Sequence, residues 1–76
     1  MKKYSIKLTS IKDVQDFVNT VSRFEGDIDL QSGRYVVDAK SIMGIFSLDL
    51  MQPVEMTIHS EKADELIAAI EKFIVK

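Results

Sequence analysis

The chain has 76 residues, enough for one domain with a thin core, because folding at this size hides only about 60% of the unfolded chain's surface. Ten basic against twelve acidic side chains give a formal charge of −2, and the basic residues are scattered, which argues against a nucleic-acid footprint. With no cysteine, a disulfide staple, a thiol nucleophile and a thiolate metal site are all excluded.

The opening "MKKYSIKL" has the positive flank of a signal peptide but no apolar run behind it, and no stretch approaches the roughly 20 apolar residues of a bilayer span. A cytoplasmic protein without membrane insertion is the expectation. Residues 3 to 8 alternate, with Tyr4, Ile6 and Leu8 apolar and Lys3, Ser5 and Lys7 between them, which predicts a strand with one wet face. Thr9 and Ser10 offer N-cap hydroxyls, and Asp13 stands three residues beyond Ser10 as a capping-box partner. Val14, Phe17, Val18 and Val21 form one helical stripe. Phe24 is expected to pack at the helix end, and Gly26 to take a positive φ at the exit.

Residues 27 to 31 alternate again with Ile28 and Leu30 inward, Ser32-Gly33 reads as a tight turn, and Tyr35, Val37 and Ala39 share one side of the returning strand. Residues 41 to 48 suit a short helix. Pro53 marks a strand start, Val54, Met56 and Ile58 alternate with Glu55, Thr57 and His59, and Ser60 reads as the cap of a last helix. The stripe of that helix is Ala63, Leu66, Ile67, Ile70, Phe73 and Ile74. Four strands with one apolar face each, and helices with one stripe each, predict a β-α-β-β-α-β-α chain folded as a two-layer α+β sandwich, a single domain over residues 1–76.

The order of elements together with "AKSIMGIFSL" at residues 39 to 48 resembles the HPr family, the small phosphocarriers of the bacterial phosphoenolpyruvate-dependent sugar phosphotransferase system. "SRFEGDIDL" at residues 22 to 30, and the strand 54–58 leading into the last helix, resemble it more weakly. The resemblance implies an open-faced sandwich whose four-stranded antiparallel sheet has the order 1-4-2-3, covered on one face by three helices. In that family a Gly-Leu-His-Ala-Arg-Pro stretch carries the phosphoacceptor histidine. Here "TSIKDV", residues 9 to 14, puts Ser10 at the histidine, Lys12 at the arginine and Asp13 at the proline. A serine phosphoester gives up much of the transfer potential of an N–P bond, and Asp13 sets a carboxylate beside any phosphate bound there.

"KSIMG" by itself reads as an N-cap serine and nothing more. The resemblance adds a second reading, in which Ser41 is the substrate of an ATP-dependent HPr-type serine kinase/phosphorylase. Lys40, Ile42, Met43 and Phe46 then form a partner-binding surface, with some of the apolar run closing the core. The implied partners are that kinase, components of the phosphotransferase system and a transcriptional regulator of carbon catabolite repression, and the implied state is a monomer. Asp49 departs from the family, which usually has glycine there.

The one histidine, His59, reads as an exposed imidazole, and Asp27/Asp29 and Asp64/Glu65 read as solvated face residues, so neither a metal site, a cofactor nor acid–base catalysis is expected. The leading expectation is a non-enzymatic HPr-like protein regulated at Ser41. Its rivals are an atypical phosphocarrier using His59 or another residue, and an interaction module without phosphorylation.

Overall fold

A computed structural model describes residues 2–75, so both ends of the expected 1–76 domain lie outside the described residues. The chain runs β1 (Lys2–Ile6), α1 (Ile11–Val21), β2 (Ile28–Ser32), β3 (Tyr35–Asp38), α2 (Ile42–Phe46), β4 (Val54–Ile58) and α3 (Asp64–Ala69), then a 3-10 turn at Glu71–Phe73. The strands form one antiparallel sheet of order β1-β4-β2-β3, the order that the resemblance implies.

Register turns the period-two patterns into faces. Tyr4, Met56, Leu30 and Val37 stand in one row across the sheet, while Lys3, Thr57, Asp29 and Asp38 form the next row on the other face. The first face is roofed by the helices and buries Ile6, Ile28, Leu30, Val54, Met56 and Ile58 against Val14, Phe17, Val21, Ile45, Leu66 and Phe73. Each such side chain contributes about 1.5–3 kcal/mol when fully withdrawn from water. Phe17 meets Phe73 edge to face, with ring centroids 5.9 Å apart and planes at 83°, which ties α1 to the end of the chain.

Several local expectations are corrected. β1 ends at Ile6, although Leu8 stays in the core and the Lys7 N–H donates to the Phe73 carbonyl at 2.8 Å. The hairpin turns on Gly33 and Arg34, one residue later than expected: Ser32 pairs with Tyr35, and Gly33 alone takes a positive φ, +60°, the sign pattern of a type II′ turn. Gly26 does not adopt a positive φ; its requirement is steric, since a Cβ there would run into the Phe24 ring. Phe24 does pack half-buried at the α1 exit, its N–H on the Val21 carbonyl.

Tyr35 shares its side with Val37 and Ala39 but is 72% exposed, because it begins an edge strand where no helix covers it. Ser60 is not a helix cap. Its Oγ accepts the Lys62 N–H at 3.2 Å in a local turn, and α3 starts beyond it at Asp64 without a side-chain cap. The apolar stripe continues to Ile74, yet the helix stops at Ala69, and Ile74 takes extended angles (φ −75°, ψ 129°) to bridge Ile6. Val75 then donates its N–H to the Ser5 carbonyl at 2.8 Å. Pairing with the β1 edge overrides the local helical period, as tertiary contacts commonly do with propensity.

Candidate functional site

The N-terminus of α1 is locked by two neighbouring side chains. Ser10, in extended conformation (φ −147°, ψ 165°), accepts the Asp13 N–H on its Oγ at 3.1 Å. Asp13 Oδ2 in turn accepts the Thr9 N–H at 3.0 Å and the Thr9 hydroxyl at 2.8 Å. The expected capping box is therefore present but reaches back one residue further, to Thr9 instead of Ser10.

The Thr9 backbone N–H, then the Thr9 hydroxyl, hold the Asp13 carboxyl below its ordinary value of 3.8. Because the folded state binds this proton less tightly than the unfolded chain, the contribution is fully present above the unfolded value and disappears as pH falls through the folded one. The stability difference between the wild type and Asp13→Asn should accordingly be present at neutral pH and shrink on acidification, as measured by urea unfolding across a pH series. A difference that stays constant with pH would contradict this account.

α2 is organised by two serines and a glycine. Ser41 is exposed, with φ −100° and ψ 103°, and its Oγ accepts the Gly44 N–H at 3.2 Å while its carbonyl receives the Ile45 N–H. Ser47 closes the helix by donating its hydroxyl to the Gly44 carbonyl at 2.6 Å. A Cβ on Gly44 would lie 3.2 Å from both Ser41 Oγ and Val37 Cβ, so glycine lets the helix approach β3 and keeps the cap tight.

The apolar run divides as a helical period requires. Ile45 is buried, Ile42 is half-buried against the core, and Met43 (76%) and Phe46 (41%) face water. Lys40 is drawn away from this surface: its Nζ donates to the Phe24 carbonyl at 2.6 Å, and its N–H donates to Asp38 Oδ1 at 2.8 Å.

Between the start of α1 and residues 46 to 51 lies an open groove of about 500 Å³, lined by Lys7, Leu8, Thr9, Ser10, Ile11, Phe46, Leu50 and Met51. Ser10 and Phe46 thus meet on one surface, whereas Lys40, Ser41, Ile42 and Met43 lie outside the groove lining. Ile11 (67% exposed), Met51 (83% exposed) and the half-buried Leu50 are groove residues that sequence reasoning missed. Ile11 does carry a signal, since it stands three residues before Val14, on the extension of the α1 stripe. Leu50 and Met51 are an apolar pair in a turn, and the turn is built by Asp49, whose Oδ1 accepts the Met51 N–H at 3.1 Å. Among the described residues no non-glycine residue has a positive φ, so Asp49 shapes this turn by hydrogen bonding and not by a left-handed backbone. Lys7 Nζ donates to the Met51 carbonyl at 2.7 Å and holds this turn onto the end of β1.

His59 lies elsewhere. Its Nε2 is 2.8 Å from Asp29 Oδ2 on the solvent face of the sheet. The neighbouring Ile58 pairs with Lys2, at the start of β1, whereas α1 departs from the other end of β1, where Ile6 pairs with Val54. Histidine and Ser10 therefore stand at opposite ends and on opposite faces of the sheet. Among the described residues no three His, Asp or Glu side chains gather in a way that could hold a metal ion, and no helix is long and apolar enough to cross a membrane.

A 1-4-2-3 antiparallel sheet under three helices, with the first two helices bordering one groove or its rim, is the HPr-like α+β fold. The family model described as the phosphotransferase-system HPr component phosphorylation site matches residues 11–76. The crystal structure of HPr-C-His from Thermoanaerobacter tengcongensis superposes with a TM-score of 0.78 at 30% identity, covering 95% of this chain and 89% of that one. Phosphocarrier protein HPr from Bacillus anthracis strain Ames gives a TM-score of 0.69 at 27% identity, with 97% and 94% covered. A histidine-containing phosphocarrier protein of Mycoplasma shares the fold, with a TM-score of 0.75 at 19% identity over 93% and 89% of the two chains. The chain belongs to the HPr family.

Proposed function

We propose that this chain is a regulatory, partner-binding member of its family, controlled by phosphorylation at Ser41, and that it neither relays phosphate on histidine nor catalyses a reaction. The observation that carries this reading is the position of the one histidine, hydrogen-bonded to Asp29 on the sheet face remote from α1. At the start of α1, the position that resemblance assigns to the phosphoacceptor is a serine whose Oγ is engaged as a helix cap.

Ser41 is likewise an exposed helix cap, and what singles it out is the resemblance of residues 39 to 48 to the family's regulatory-serine segment; its hydroxyl would accept the γ-phosphoryl group of ATP. Ser41 Oγ forms the new bond to phosphorus, the bond to the ADP oxygen breaks, and the hydroxyl proton passes to a base of the kinase. The product carries about −1.5 to −2 additional charge at neutral pH. α2 has only five residues, so its benefit to a phosphate comes from nearby N–H groups such as that of Gly44 more than from a summed helix dipole. Lys40 is the adjacent cation, and it would have to exchange the Phe24 carbonyl for the phosphate.

Beside Ser41, Met43 and Phe46 offer exposed apolar area, and the groove extends it through Ile11 and Met51. Two flexible methionines suit a surface that meets more than one protein. The fitting partners are an HPr-type serine kinase/phosphorylase, other phosphotransferase-system components and a transcriptional regulator, met in the cytoplasm without a cofactor.

Incubation with an HPr-type serine kinase and ATP labelled at the γ-phosphate should label the wild type and leave Ser41→Ala unlabelled. Equal labelling of both proteins would overturn the assignment of Ser41. In parallel, phosphoenolpyruvate and the first enzyme of the relay should give no acid-labile phosphoprotein. If such a product forms, the atypical-phosphocarrier reading replaces this one.

A further inference from the structure

The two edges of the sheet are treated differently. Residues 73–75 cover the outer edge of β1, through the Ile6–Ile74 bridge and the Lys7–Phe73 and Val75–Ser5 backbone bonds. Among the described residues no further strand pairs with β3 on its outer side, where the sheet order ends. Exposed edges are usually defended by short strands, charged side chains, proline or a bulge. β3 is short, four residues ending in the charged Asp38, but it has no proline, lysine or bulge: Tyr35, Val36, Val37 and Asp38 pair with β2 in unbroken register. Tyr35 and Val36 are 72% and 55% exposed.

The outward-pointing backbone groups can be identified. Ala39 donates its N–H to the Ile28 carbonyl, so the odd-numbered residues turn their hydrogen-bonding groups toward β2, and Arg34, Val36 and Asp38 turn theirs outward. The Asp38 carbonyl already accepts the Ser41 N–H at 3.0 Å and keeps one lone pair for a second donor. The side chains at the two ends of this edge have opposite charge and, among the described residues, lack partners of opposite charge. Among the described residues Arg34 makes no ion pair. Asp38 stands opposite Asp29, a like-charge pair, and Asp29 itself takes His59.

We infer that β3 pairs with β3 of a second copy of this chain, antiparallel about a two-fold axis at Val36. Val36 then faces Val36, Tyr35 faces Val37, and Arg34 faces Asp38 of the second copy, with each contact repeated by symmetry. Outward backbone groups meet outward backbone groups, an aromatic meets a β-branched residue, and Asp38 gains the cation that its own sheet does not supply. Charge selects this register: a shift one way sets Arg34 opposite Lys40, and a shift the other way leaves Arg34 opposite Val36. The resemblance implies a monomer; the edge gives this chain a concentration-dependent dimer, independent of whether Ser41 is phosphorylated.

Sedimentation equilibrium of the full chain from micromolar to millimolar concentration should show the average mass rising from one copy toward two. Arg34→Asp and Asp38→Arg, each alone, should weaken association by about tenfold, and the double exchange should recover most of the wild-type association. Val36→Pro removes an outward N–H that the folded monomer does not use and should hold the protein monomeric while circular dichroism shows the fold intact. A wild type that stays monomeric over the whole range overturns the inference. So does a dimer that survives Val36→Pro, or a double exchange that associates no better than the single variants.

Discussion

Replacing Phe17 by alanine should lower the stability of this protein by about 3–5 kcal/mol, the range for removing a fully buried aromatic ring. Phe17 is 0% exposed and meets Phe73 edge to face, so the ring fills the junction of α1 with the end of the chain. The loss combines the transfer term for the deleted atoms, a cavity term, and the aromatic pair itself, worth about 0.5–1.5 kcal/mol. At about 0.05–0.15 kcal/mol per residue, 76 residues hold roughly 4–11 kcal/mol in total. The substitution therefore removes a large share of all the stability there is. Urea unfolding should show a lower midpoint with an unchanged slope, and Phe73→Ala should be less than additive with it. A cost below about 1 kcal/mol would mean that the surrounding side chains collapse into the space and that this ring pair is not what joins the helices.

The second large effect concerns binding. Phe46→Asp should weaken binding to an HPr-type serine kinase by on the order of thirtyfold, about 2 kcal/mol, the scale of an aromatic anchor at the centre of an interface. Phe46 is 41% exposed and lines the groove with Ser10, Ile11, Leu50 and Met51, so it joins the α1 cap to the α2 surface. An apolar partner seated on this groove would strip water from the new carboxylate without pairing it, which opposes binding. Titration calorimetry gives the affinity, and urea unfolding of the same variant separates docking from folding. A variant that binds like the wild type, yet unfolds more easily, would place Phe46 in the fold alone and move the docking surface to Met43.

Both effects rest on residues whose place could be read from the sequence to different degrees. The side of the element was legible for Phe17, because Val14, Phe17, Val18 and Val21 recur at the helical period and only one side of α1 can meet the sheet. The same holds for Ile28, Leu30, Val54, Met56 and Ile58, where a one-residue slip would turn every apolar side chain to water. Ser41 was equally legible as a cap, since an exposed hydroxyl before Ile42 needs only its own next three residues to find the Gly44 N–H. Capping was less secure where competing local partners exist: Asp13 reaches Thr9, and Ser60 closes a turn with Lys62 instead of starting α3.

Phe46 and its neighbours were harder, because periodicity says which side of an element a residue takes and not whether another element covers that side. Ile11 continues the α1 stripe and Tyr35 shares a side with Val37 and Ala39, yet both face water where cover ends. The groove itself depends on Lys7 reaching the Met51 carbonyl across 44 positions of sequence, and Lys40 is turned from the α2 surface by the Phe24 carbonyl, 16 positions away.

By itself the sequence determined the order of elements, the inward residues of β2 and β4, the Ser41 cap and the presence of a single histidine, all consequences of local period, local hydrogen bonding or composition. Only the tertiary structure decided that Ile11, Phe46 and Met51 share a groove with Ser10, that Ile74 leaves the helix to bridge Ile6, that His59 is at the far end of the sheet from the start of α1, and that among the described residues no further strand pairs with the β3 edge. Each of these depends on contacts between segments distant in the chain, and no local period encodes where such segments meet.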